Sequence, residues 1–72
     1  KLKPHRVTLV PENRKEVTTE GGLDLKGNYE QIEKTINRLH LEEIAVSLFI
    51  DPTVNMIELS AKLGVEWIEL HT

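Results

Sequence analysis

Apolar residues along the chain switch between two spacings. Residues 5–10 (HRVTLV) are short, β-branched and closed by Pro11, which predicts a strand over residues 6–10. Tyr29, Ile32, Ile36 and Leu39 then recur three and four apart, with Glu30, Lys34 and Arg38 on the opposite face. That spacing predicts an amphipathic helix over residues 29–39, fraying near His40. Asn28 followed by Gln31 has the form of a capping box, and Glu30 with Lys34 is a favourable i,i+4 pair. Residues 45–50 (AVSLFI) are almost continuously apolar, as in a strand covered on both faces. Asp51-Pro52-Thr53 reads as a helix start, with Asp51 as the cap and Pro52 at the first helical position. Val54, Ile57 and Ala61 share one face of a helix over residues 54–63, widened by Met56, Leu59 and Leu63, and Gly64 suits its end. Residues 65–70 (VEWIEL) carry a third strand, centred on residues 67–70.

The order β-α-β-α-β predicts an α/β fold with parallel strands and right-handed crossovers. Doubly wound sheets and (β/α)8 barrels both fit it. In both, functional residues gather at the carboxyl ends of the strands. Those ends are Val10-Pro11-Glu12, Phe49-Ile50-Asp51 and Glu69-Leu70-His71-Thr72. The stretch at residues 11–27 (PENRKEVTTEGGLDLKG) leaves from the same side. It is long for a connection in an α/β unit, where about 2–6 residues is usual, so it is a candidate lid or binding loop. Glu12, Arg14 and Glu20 supply charge, Thr18 and Thr19 supply hydroxyls, and Gly21-Gly22 permits close backbone approach. A solvated charged loop with turn glycines is the plainer alternative. Residues 11–17 have no apolar anchor and are expected to move without ligand and order with it.

Composition narrows the classes. Seventy-two residues make at most one small domain, and 39% hydrophobic content argues for a folded segment. Net charge is −3, which supplies no basic footprint for nucleic acid. No apolar run approaches a membrane span and no cysteine is present, so the expected setting is cytoplasmic. Three strands and two helices leave sheet edges and one face uncovered. With no starting Met and a last residue directly after a strand pattern, the chain is expected to be an excerpt of a longer one.

Glu69 and His71 are two apart in a strand and so share a face, where a carboxylate and an imidazole could exchange or orient a proton. A strand-end surface position is the equal alternative. Ser47 is expected to be a core hydroxyl bonded to backbone, and Trp67 to pack against a helix. His5 and His40 receive no role, and the three histidines have no metal-ligand spacing. There is no phosphate-binding P-loop, no GxGxxG and no nucleophile elbow.

Three blocks carry a family resemblance: V-x-L-V-P-E-x-R-x-E-V-T-T-E-G-G-L-D from Val7, V-S-L-F-I-D from Val46, and W-I-E-L-H-T from Trp67. Together they resemble the pyridoxine 5′-phosphate synthase family of vitamin B6 biosynthesis, over essentially the whole chain. The resemblance implies a (β/α)8 TIM barrel, of which residues 1–72 would supply strands four to six, with residues 11–27 a long active-site loop. It implies condensation of 1-deoxy-D-xylulose 5-phosphate with 3-amino-2-oxopropyl phosphate to pyridoxine 5′-phosphate, releasing phosphate and water. Thr18 matches the threonine that binds the deoxyxylulose phosphate, and residues 12–17 match a loop that closes over the site. Glu12, Arg14, Glu20, Glu69 and His71 are candidate loop or pocket residues. The family's principal acid/base residues, two histidines and a glutamate, fall outside this stretch, so the segment alone is not expected to be active. No cofactor, metal, nucleic acid or membrane is expected, and the complete protein is expected to be a homo-oligomer. The alternatives are another phosphosugar-binding barrel enzyme and a stand-alone, non-catalytic α/β binding module.

Overall fold

A computed structural model describes residues 5–71. Three strands, β1 (Arg6–Leu9), β2 (Ala45–Ile50) and β3 (Trp67–Leu70), form one parallel sheet in the order β1-β2-β3. Two helices, α1 (Tyr29–Leu41) and α2 (Val54–Leu63), make the crossovers. The register pairs Thr8 with Ser47 and Ser47 with Trp67, and two and three residues further along β2 it pairs Phe49 with Glu69 and Ile50 with Leu70. Element order and parallel pairing agree with the sequence pattern. β1 stops one residue early, and α1 runs to Leu41, beyond the expected fraying point.

The apolar run of β2 resolves into two faces because successive side chains point to opposite sides. Val46, Leu48 and Ile50 are fully buried and pack with Ile32 and Ile36 of α1 and Met56 and Leu63 of α2. Leu23 and Leu25 of the long loop join the same core at 3% and 0% exposure, so the loop's second half is anchored in it. Each such side chain contributes about 1.5–3 kcal/mol over leaving it in water. The other face carries Thr8, Ser47, Phe49, Trp67 and Glu69 and has no helix on it.

Three local expectations are corrected. Asn28 makes no side-chain cap: its amide donates to the carbonyls of Lys15 (3.0 Å) and Asp24 (3.1 Å), tying the loop to the start of α1. Thr53, and not Asp51, caps α2, accepting from the Met56 amide at 3.3 Å; Pro52 lies before the helix, which starts at Val54. Trp67 does not seat on a helix: it is half-exposed on the opposite face, with the Arg6 guanidinium 5.0 Å from its ring centroid. Arg6 is drawn there by the negative face of the indole.

Helix ends follow backbone chemistry. α1 closes with Glu43 to His40 O (2.9 Å) and Ile44 to Leu39 O (3.0 Å) bonds, the paired pattern that needs a left-handed residue. Glu43 takes that conformation at φ 63°, where glycine is usual. α2 ends at Gly64 with φ 75°. Among the described residues no helix is long and apolar enough to cross a membrane.

Candidate functional site at the carboxyl end of the sheet

The long loop is built from short internal bonds. A 3-10 turn at Arg14–Glu16 is capped by Asn13, whose carbonyl oxygen on the side chain accepts the Lys15 amide at 3.0 Å. Glu16 Oε1 accepts the Glu12 amide at 2.9 Å. Val17 and Leu23 then form an antiparallel bridge, and Thr18 N donates to Gly22 O at 2.9 Å. Residues 18–22 are thus a tight turn. The Leu23 amide donates to Phe49 O at 2.8 Å, which docks the turn on the end of β2.

Asp51, directly after β2, is the centre of this docking. It is 4% exposed. Its Oδ1 accepts the Gly22 amide at 2.9 Å, and its Oδ2 accepts the Thr18 hydroxyl. The Thr18 oxygen also accepts the amides of Glu20 and Gly21, each at 3.2 Å. A hydroxyl has one hydrogen and two lone pairs, so Thr18 is fully used within the protein.

His71 closes the other side of the turn. Its backbone amide donates to Ile50 O at 2.8 Å, extending the β2–β3 ladder. Its ring stands edge-on to Phe49, with centroids 5.3 Å apart and planes at 66°. A Cβ on Gly21 would lie 2.7 Å from His71 Nε2, and Gly21 has φ +112°, so only glycine fits there. Glu69, beside Phe49 in register, is exposed on the helix-free face.

The structure therefore brings Thr18, Gly21, Gly22, Asp51 and His71 together at the carboxyl end, with Glu69 one step down the same face as His71. Glu12, Arg14 and Glu20 are exposed, and none of their side chains bonds to that group among the described residues; Glu20 meets it only through its backbone amide. Glu12 instead borders a separate hollow of about 180 Å³ with Leu9, Glu16, Leu23, Ile32 and Thr35, between β1 and α1. Ser47 is buried as expected, but it bonds the Thr8 hydroxyl at 2.6 Å and not the backbone. Neighbouring parallel strands put the two hydroxyls opposite one another, which satisfies both without a main-chain partner. Among the described residues no group of three or more His, Asp or Glu could hold a metal ion.

Asp51 is the residue that sequence reasoning missed. A signal existed: Thr53 immediately precedes the first helical residue and could itself cap, which left Asp51 without a local task.

At the amino end of the sheet a second polar cluster forms. Glu66 Oε1 accepts the Val46 amide at 2.8 Å and meets His40 Nε2 at 3.1 Å. The Val46 hydrogen bond first, and the His40 contact second, hold the Glu66 carboxyl below the ordinary glutamate range. It lies at the opposite end of β2 from Asp51.

Residues 1–72 match the family described as pyridoxal phosphate biosynthesis protein PdxJ. The pyridoxine 5′-phosphate synthase of Aliarcobacter butzleri is 71% identical over 72 residues, all of this chain and 28% of the relative. That of a Sulfurovum species is 58% identical over the same 72 residues, again 28% of the relative. That of Wolinella succinogenes is 58% identical over 71 residues, 99% of this chain and 27% of the relative. The chain thus spans a little over a quarter of these relatives' length, and its 72 matched residues make it a member of the PdxJ family of pyridoxal phosphate biosynthesis proteins.

Proposed function

We propose that this chain supplies the fourth to sixth strands of a (β/α)8 barrel that makes pyridoxine 5′-phosphate from 1-deoxy-D-xylulose 5-phosphate and 3-amino-2-oxopropyl phosphate. The observation that carries the reading is the 71% identity to a pyridoxine 5′-phosphate synthase across all 72 residues. The three-stranded parallel sheet with its helices on one face is the repeating unit such a barrel needs. The helix-free face, polar with Thr8, Ser47 and Glu69, would line the barrel interior. The proposal carries with it a cytoplasmic homo-oligomer acting on small phosphates.

Within that barrel, Thr18 contacts the sugar phosphate. Its hydroxyl hydrogen is given to Asp51 in the structure. The Glu20 and Gly21 amides fill the two lone pairs of Oγ1, so a phosphate oxygen that receives this hydrogen replaces Asp51 as its acceptor. Gly22 stays bonded to Asp51 throughout, so the turn need not leave its seat. His71 stands beside it at the top of a barrel strand, with Glu69 two residues earlier on the same strand.

The test is a polypeptide of the relatives' length carrying this segment, incubated with the two phosphates and assayed for pyridoxine 5′-phosphate. Product that requires both substrates supports the reading. A folded full-length protein that makes none overturns it.

A further inference from the structure

The turn at residues 18–22 rests on a single buried side chain. The Asp51 carboxylate takes the Gly22 amide on one oxygen and the Thr18 hydroxyl on the other, and Thr18 gathers the Glu20 and Gly21 amides onto its own oxygen. Four hydrogen bonds converge through two side chains. The approach is as close as a backbone permits: a Cβ on Gly22 would lie 2.6 Å from the Asp51 amide nitrogen and 2.7 Å from its Oδ1. Asp51 has no second task, because Thr53 caps α2. A carboxylate buried to this degree is retained where its oxygens are hydrogen-bonded, and both of these are.

We propose that Asp51 is a positioning residue for sugar-phosphate binding: it sets the place and rotamer of Thr18 without touching the substrate. The inference rests on the reading that Thr18 contacts the sugar phosphate. Two features of Asp51 matter. Its position fixes the turn on the rigid end of the central strand, a better platform than the loop itself. Both its oxygens accept, the Gly22 amide on one and the Thr18 hydroxyl hydrogen on the other, which orients Thr18 in the free protein and leaves its lone pairs to the two amides. Asparagine keeps the shape and one acceptor for Gly22. Its other group is a donor, and it faces a Thr18 oxygen whose lone pairs are already filled. Asp51→Asn therefore keeps the Gly22 anchor and pushes Thr18 out of place.

The experiment uses the full-length protein carrying this segment, with Asp51→Asn and Thr18→Ala made singly and together. The KM for each substrate is measured, together with amide hydrogen exchange at residues 18–22 and in β2. The expected result for Asp51→Asn is a KM for 1-deoxy-D-xylulose 5-phosphate raised about 10- to 150-fold, the range for loss of a hydrogen bond to a charged group. The KM for 3-amino-2-oxopropyl phosphate stays unchanged. The double variant is no worse than the more damaged single one, because both substitutions act on the same substrate contact, that of Thr18. Exchange speeds up at Glu20 and Gly21, whose amides the Thr18 oxygen accepts, and not in β2. Additive losses, an equal rise in both KM values, a lowered sugar-phosphate KM or faster exchange throughout the sheet would each overturn the inference. If Thr18→Ala raises the sugar-phosphate KM and Asp51→Asn does not, only the role of Asp51 fails. If Thr18→Ala has no effect, the substrate contact itself fails and the inference with it. Should Asp51→Asn not fold, exchange in the unsubstituted protein decides: Gly22 should be protected like the β2 amides, and rapid Gly22 exchange overturns the anchor.

Discussion

At the scale of single residues, two adjacent threonines have opposite fates. Thr18 is bonded on every side, whereas the Thr19 hydroxyl makes no bond among the described residues and is exposed. Thr18→Ala in the full-length protein should weaken sugar-phosphate binding by about 2- to 150-fold, and Thr19→Ala should do less. Isothermal titration of each phosphate ligand against both variants measures this, and the reverse ranking would move the contact to Thr19. Gly22 admits no side chain. An alanine there would press on the backbone of Ile50 and Asp51 at 2.9 Å and 2.6 Å, which cannot yield as a flexible side chain does. Gly22→Ala should cost about 1–3 kcal/mol, read as a lower midpoint in thermal unfolding of the full-length protein.

At the scale of elements, β2 has a carboxylate at each end, one from the residue directly after it and one from before β3. Asp51 fastens the loop to its carboxyl end, and Glu66 takes the Val46 amide near its amino end while meeting His40 from α1. The Glu66 carboxyl is held below its ordinary range, chiefly by that amide. A carboxyl with a depressed folded-state value stabilises the fold above its unfolded value, and the contribution is lost as pH falls through the folded value. Acidification from neutral pH through the glutamate range should therefore loosen this end of the sheet. Glu66→Gln should flatten that part of the stability profile, monitored by thermal midpoints across pH. An unchanged profile would mean that the contact adds nothing in solution. The loop between β1 and α1 divides in the same physical terms. Residues 18–25 are tied to Asp51, Phe49 and the core, and residues 12–16 bond mainly among themselves. Amide exchange should accordingly be faster at residues 13–15 than at residues 22–25, with ligand narrowing the gap.

At the scale of the whole molecule, β3 is an open edge. All four of its residues are exposed, with Trp67 at 49% and Leu70 at 45%. Ile57 of α2, also exposed, lines a hollow together with Ile68 of β3, so apolar surface accumulates on this flank. An unpaired parallel edge next to apolar surface recruits another chain. The 72-residue segment made by itself should self-associate or fail to unfold cooperatively, as sedimentation and thermal melting would report. A monodisperse, cooperatively melting monomer would identify it as a self-sufficient domain.

Periodicity alone determined the elements, because helix and strand burial impose spacings of 3.6 and 2 on whichever residues are apolar. β2 and α2 fall where the pattern places them, and the parallel order follows from alternation. The carboxyl end as the place for a site also follows from topology, and Thr18 and His71 do meet the same turn there. Tertiary structure decided the partners. Asp51 and Gly22 are far apart in sequence, and an Asp beside Pro52 and Thr53 satisfies a local capping rule equally well. The same holds for Asn28, whose amide found two loop carbonyls in place of a helix amide, and for Ser47, which found Thr8 across the ladder. Trp67 followed the strand's alternation to the helix-free face, although its size suggested a helix contact. Polar groups are satisfied by whatever the fold brings within about 3 Å, and a linear pattern carries no record of that distance.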